Sequence, residues 1–85
     1  MRQHRVLMRF ALRRLRREQP EHAAAIDKAL ANRDFFSALA DEADASYMGY
    51  CEANAGSPLT DFFQWLLEHS DEIIALIIKL LPLFI

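Results

Sequence analysis

Residues 61–85 read DFFQWLLEHSDEIIALIIKLLPLFI, and the way this stretch is covered decides the fold. Asp61, Gln64, Glu68, Asp71, Glu72, Ala75 and Lys79 recur at helical steps, so one narrow stripe stays polar or small from end to end. At about 100° per residue that stripe takes roughly a quarter to a third of a helix circumference. The rest of the arc carries Phe62, Phe63, Trp65, Leu66, Leu67, Ile73, Ile74, Leu76, Ile77, Ile78, Leu80 and Leu81. So wide an arc needs cover on more than one side, because each large apolar side chain removed from water contributes on the order of 1.5–3 kcal/mol. The spacing therefore predicts one long apolar helix within 57–85 that meets a partner or a second copy. Phe62, Phe63, Trp65, Leu66, Ile73, Ile74, Ile77, Leu80 and Leu81 are the expected interface. A competing parse starts a separate helix at Ser70, with Asp71 and Glu72 in its first turn. The continuous helix is preferred because the polar stripe keeps its phase across 68–72.

The same stretch is a poor single-pass anchor. Glu68 to Glu72 interrupt it, and the thirteen residues from Ile73 to Ile85 include Lys79 and Pro82, whereas a span needs about 20 apolar residues.

Upstream, the two glycines and three prolines act as punctuation, and no strand alternation runs beyond a few residues. Gly56 supplies a left-handed stop, and Ser57-Pro58 a cap and first-turn proline for the last helix. Before it, a helix runs to about Asn54 with Phe36, Ala40, Ala43, Tyr47 and Tyr50 on one stripe; Asp34 is its expected N-cap. Glu21 to Ala31 forms an alanine-rich helix with Ala23, Ile26 and Leu30 inward. Pro20 separates it from a first helix, Arg2 to Glu18, in which Arg2, Arg5, Arg9, Arg13 and Arg16 face one way and Leu7, Met8, Ala11, Leu12 and Leu15 the other. The expected fold is all-α: three to four helices in a small bundle or helical hairpin with a long apolar C-terminal helix. It is one domain over 1–85, made of a basic amphipathic helix (1–18), an acidic helical region (20–54) and the apolar helix (57–85).

The formal net charge of −2 conceals a separation. Residues 1–17 hold seven arginines and no acid, while all twelve acids lie in residues 18–72 with only Lys28 and Arg33 opposing them. Arg5, Arg9, Arg13, Arg14, Arg16 and Arg17 are the expected anion-binding set. Their counterpart is acidic protein surface, phosphate or anionic lipid.

Chemistry of the catalytic kind has no foothold here. His4, His22 and His69 are isolated, and no pair of ligands shares a helix face. Cys51 is a lone cysteine with no adjacent base, read as a buried small residue, so neither disulfide nor nucleophile is expected. Asp41, Glu42 and Asp44 lack the glycine and ligand spacing of a calcium loop. No catalytic residue, metal, cofactor or small-molecule substrate is expected. The residues point instead to a non-enzymatic structural or assembly subunit, a virion component or accessory subunit for example, that docks through its apolar C-terminal helix or self-associates.

An alternative is a membrane-peripheral or membrane-active protein with the arginines on anionic lipid. A third is a nonspecific nucleic-acid binder, weakened because Phe10 is the only aromatic residue in the arginine helix. The N-terminus is no secretory signal, since Arg9 cuts its short apolar run, although its arginine-rich, acid-free look is that of a mitochondrial presequence. An intracellular or membrane-associated location is expected.

Overall fold

The computed structural model describes residues 2–56 and 60–84, together with the side chains of all of these except Arg2 and Gln3. Among the described residues five α-helices follow one another: α1 (Arg2–Glu18), α2 (Ala23–Ala31), α3 (Arg33–Ala53), α4 (Phe62–Glu68) and α5 (Ser70–Phe84). A single 3-10 turn, Pro20–His22, leads into α2, where proline loses nothing by lacking an N–H. No strand occurs among the described residues. The all-helical expectation stands, but there are five helices where the pattern predicts three or four.

The additional helix comes from the C-terminal segment, which is not one continuous helix. His69 leaves the helical region (φ −112°, ψ 36°) and divides it into α4 and α5. The break is well satisfied: the Trp65 carbonyl accepts both the His69 backbone N–H at 2.9 Å and the ring Nδ1–H at 3.0 Å. Because a carbonyl can only accept, that bond places a proton on Nδ1. Asp71 and Glu72 then occupy the first turn of α5, at the positive end of its dipole. The break lets the two apolar helices face different neighbours. α4 packs on α1, whereas α5 packs on α3 and α2.

Two other helix starts differ from expectation. α3 is capped by Asn32, whose side-chain oxygen accepts from the N–H groups of Asp34 (3.0 Å) and Phe35 (3.1 Å). Asp34 lies inside the first turn and contributes through the dipole. α4 is capped by Asp61, which accepts from the Gln64 N–H at 2.8 Å. The Ser57-Pro58 cap expected from sequence lies outside the described residues. Gly56 does adopt the left-handed conformation, at φ 91°.

Every helix contributes to one core. Met8, Leu12 and Leu15 of α1 meet Ile26 of α2, Phe35 and Leu39 of α3, Trp65 and Leu66 of α4, and Ile73 and Ile77 of α5, all essentially inaccessible to water. Asp61, Gln64, Glu68, Asp71, Glu72, Ala75 and Lys79 are all exposed, so the polar stripe survives the break at His69. The radius of gyration is 12.6 Å, close to the roughly 12 Å of a compact chain of this length.

An aromatic cluster ties α4 to α1 and α3. His4 stacks on Phe62 (centroids 4.1 Å apart, 13° between planes), and its Nδ1 lies 2.7 Å from an Asp44 carboxylate oxygen. Tyr47 meets Phe62 and Trp65 edge to face, and Trp65 stacks on His69. The hydroxyl of Tyr47 donates to the Thr60 carbonyl at 2.9 Å. Within this cluster the Trp65 indole N–H is buried without a hydrogen-bond partner. The surrounding rings offer it weak π acceptance at most. At the other end of α5, Phe84 stacks on Phe35 at 5.3 Å.

Candidate anion-binding face

The inward side of α1 is fully used: Met8, Ala11, Leu12 and Leu15 are at most 1% exposed. The six candidate arginines therefore lie on the flanks and the outward side of the same helix, and the fold treats them in two ways. Arg5, Arg9 and Arg16 turn to neighbouring helices. Arg5 donates to the Ser37 hydroxyl at 2.8 Å and sits 3.6 Å from Asp41. Arg9 lies 4.7 Å over the Phe36 ring as a cation–π pair. Arg16 grips Asp27 of α2 with two bonds, at 2.5 and 3.1 Å. The hydrogen bond from Arg16 holds the Asp27 carboxyl below its ordinary range, and the same bond raises the guanidinium.

Arg13, Arg14 and Arg17 point away from the body. Arg14 pairs with Glu18 one turn further on, at 3.1 Å. Arg13 and Arg17 have no acid or hydrogen-bond partner among the described residues. Beside them Val6 and Phe10 are about half exposed, at 52% and 53%. Phe62 turns inward onto His4, and the next residue, Phe63, is half-buried and faces the arginines. Phe10, Arg13, Arg14, Arg16, Arg17 and Phe63 thus line a shallow hollow of about 570 Å³. A smaller cleft of about 280 Å³ lies between α1 and the start of α3, where Arg33 and Phe36 join Arg5 and Arg9. Together these form a basic surface with aromatic rings set into it, and no carboxylate lines either hollow.

Helical periodicity does not assign Phe63, Phe36 and Arg33 to this face. Each is far from the arginine run in sequence and reaches it only through helix packing, which periodicity does not report.

The expected partner surface on α4 and α5 is placed differently. Phe62, Trp65, Leu66, Ile73, Ile74, Ile77 and Leu80 lie in the protomer's own core, and Phe63 and Leu81 are half-buried. The first seven are closed to a partner in this fold, because the break at His69 gives the broad apolar arc two different sets of internal neighbours. Ile78 and Leu83 remain exposed, at 52% and 73%.

No group of three or more potential metal ligands gathers among the described residues. Cys51 is half-buried, not buried, and stands beside Tyr47. Burial first, and Cys51 second, raise the Tyr47 hydroxyl above its ordinary value. No described helix is long and apolar enough to cross a membrane. No protein family, curated protein or solved structure matches the chain.

Proposed function

We propose that this chain is a non-enzymatic docking subunit whose working surface is the arginine face of α1, and that it holds a polyanionic partner there. The observation that carries this reading is the hollow lined by Phe10, Phe63 and four arginines, two of which have no internal partner among the described residues. A guanidinium presents five N–H donors in a planar fork that matches carboxylate or phosphate oxygens. Arg13 and Arg17 offer such forks to solvent from a helix whose other sides are anchored. The lining holds no acid, histidine or cysteine, so it offers binding and no proton transfer. In a buffer of low ionic strength the protein should be retained on immobilised inorganic polyphosphate and released by salt. The variant Arg13→Glu/Arg17→Glu should elute at much lower salt with an unchanged circular dichroism spectrum. Passage of the native protein without retention would remove the reading.

A second contact is supported by the exposed apolar end of α5. Ile78 and Leu83 stand in water beside half-buried Leu81 and Phe84. Such a tip suits shallow contact with a lipid surface or a protein partner. Flotation with neutral liposomes that is lost on Leu83→Glu would support lipid contact, and absence of flotation would exclude it.

A further inference from the structure

We infer that the polyanion held on this face is single-stranded nucleic acid, with Phe10 and Phe63 serving as platforms on which bases stack while Arg13 and Arg17 take phosphates. The inference rests on the arginine-face reading above and adds the identity of the ligand. Single-strand binders combine a cationic groove with exposed aromatic rings, because every base has a π face to stack. The first helix alone offers one such ring. The fold supplies the second from α4, and the two lie in one hollow with Arg13, Arg14, Arg16 and Arg17.

The pairing of exposed rings with open arginines, more than charge spacing, favours a base-bearing phosphate chain over an acidic protein. Those four arginines fall within five residues, about 6 Å along the helix axis. A nucleic-acid strand carries one charge per ~3.4 Å when stacked. Its neighbouring phosphates can reach both Arg13 and Arg17, the two arginines without an internal acceptor among the described residues, while its bases bring flat rings to the two phenylalanines.

Two competing ligands fit less well. An interfacial membrane helix must bury its apolar side among lipids, but that side of α1 is already inside the core. A duplex would need α1 in a major groove about 12 Å wide. A bare helix of 10–12 Å diameter would fill it, and α1 is flanked by α2, α3 and α4.

The test is fluorescence anisotropy of the full chain with labelled oligo(dT) and oligo(U), alongside length-matched polyphosphate, duplex DNA, poly-glutamate and phosphatidylglycerol vesicles. One or both single strands should bind more tightly than every other probe. Neutralising Arg13 and Arg17 should flatten the log–log salt slope by about 1.4, at ~0.7 for each phosphate that is no longer neutralised. Phe10→Leu should weaken oligonucleotide binding roughly 5- to 150-fold, the range for one stacked base, weaken polyphosphate binding far less, and be rescued by Phe10→Trp. Phe10 is half exposed, so these variants should keep the native thermal transition. Equal affinity for polyphosphate and oligonucleotide, or native-like binding by Phe10→Leu, would overturn the inference yet leave the docking face intact. Preference for duplex, poly-glutamate or vesicles would overturn it as well. Failure of every anionic probe to bind would remove both readings.

Discussion

In α1 the inward residues Met8, Ala11, Leu12 and Leu15 are at most 1% exposed, while Arg13 and Arg17 stand on the outward side with no partner among the described residues. In α4 and α5 a far wider apolar arc is taken inside, leaving Ile78 and Leu83 as the large exposed apolar side chains among the described residues there. The contrast follows from the two interactions. Apolar burial has no direction, so any neighbour can provide it, and one break at His69 lets α4 use α1 while α5 uses α3 and α2. A guanidinium requires an acceptor at a defined distance and angle. The chain has acids in plenty, but it sets Asp27 and Asp41 against Arg16 and Arg5 and no described acid against Arg13 or Arg17. The greasy segment is thus mostly resolved within the protomer, whereas the basic segment is not.

Removing the anchor of the C-terminal region should give the largest effect. Trp65 is 1% exposed and sits at the junction of α4 with α1 and α3. Trp65→Ala should cost about 3–5 kcal/mol, a large share of the ~5–15 kcal/mol that holds a small domain. The urea midpoint should fall steeply. A midpoint close to native would mean that α4 is not part of the core, and its apolar residues would again be free for a partner.

Next come the caps, which decide where the acidic middle of the chain enters the bundle. Asn32→Ala removes the acceptor for two backbone N–H groups and should cost about 1 kcal/mol. Asp34→Ala removes only a dipole contribution, and about 0.3–1 kcal/mol is expected. If the order were reversed in thermal unfolding, Asp34 would be the working cap. By contrast, Arg13→Ala and Arg17→Ala should each change stability by no more than about 0.5 kcal/mol, since neither side chain has an internal acceptor among the described residues. A large loss of stability from either would show that α1's outward side is structural after all.

Much of this arrangement is legible in the sequence because it is written in helical periodicity. The span of α1, the inward set Met8, Ala11, Leu12 and Leu15, the left-handed Gly56 and the exposed polar stripe all follow from local spacing. The break at His69 is harder to place, because a one-residue irregularity leaves the phase of the stripe intact. What settles it is whether α4 and α5 have separate surfaces to cover, which is a property of the packed bundle. The choice of Asn32 over Asp34 is equally open, since either residue type caps well at that spacing. Of the candidate face, the arginines are legible and their neighbours are not. Phe63 becomes part of it only because Phe62, one residue earlier, is fixed against His4.

The smallest expected effect separates a paired arginine from the unpaired ones. Asp27 is held below its ordinary carboxyl value by Arg16. A group whose pKa is depressed on folding stabilises the native state above its unfolded pKa, and that contribution is lost as pH falls through the depressed value. Native protein should therefore exceed Asp27→Asn slightly in thermal midpoint near neutrality, and the gap should close in the acid range below the ordinary carboxyl pKa. Both side chains are about half exposed, at 48% and 49%, so the gap should also shrink in concentrated salt. A difference that widens on acidification would mean that the ionised pair does not stabilise the fold. Arg16 would then belong with Arg13 and Arg17, as a cation open to an outside ligand.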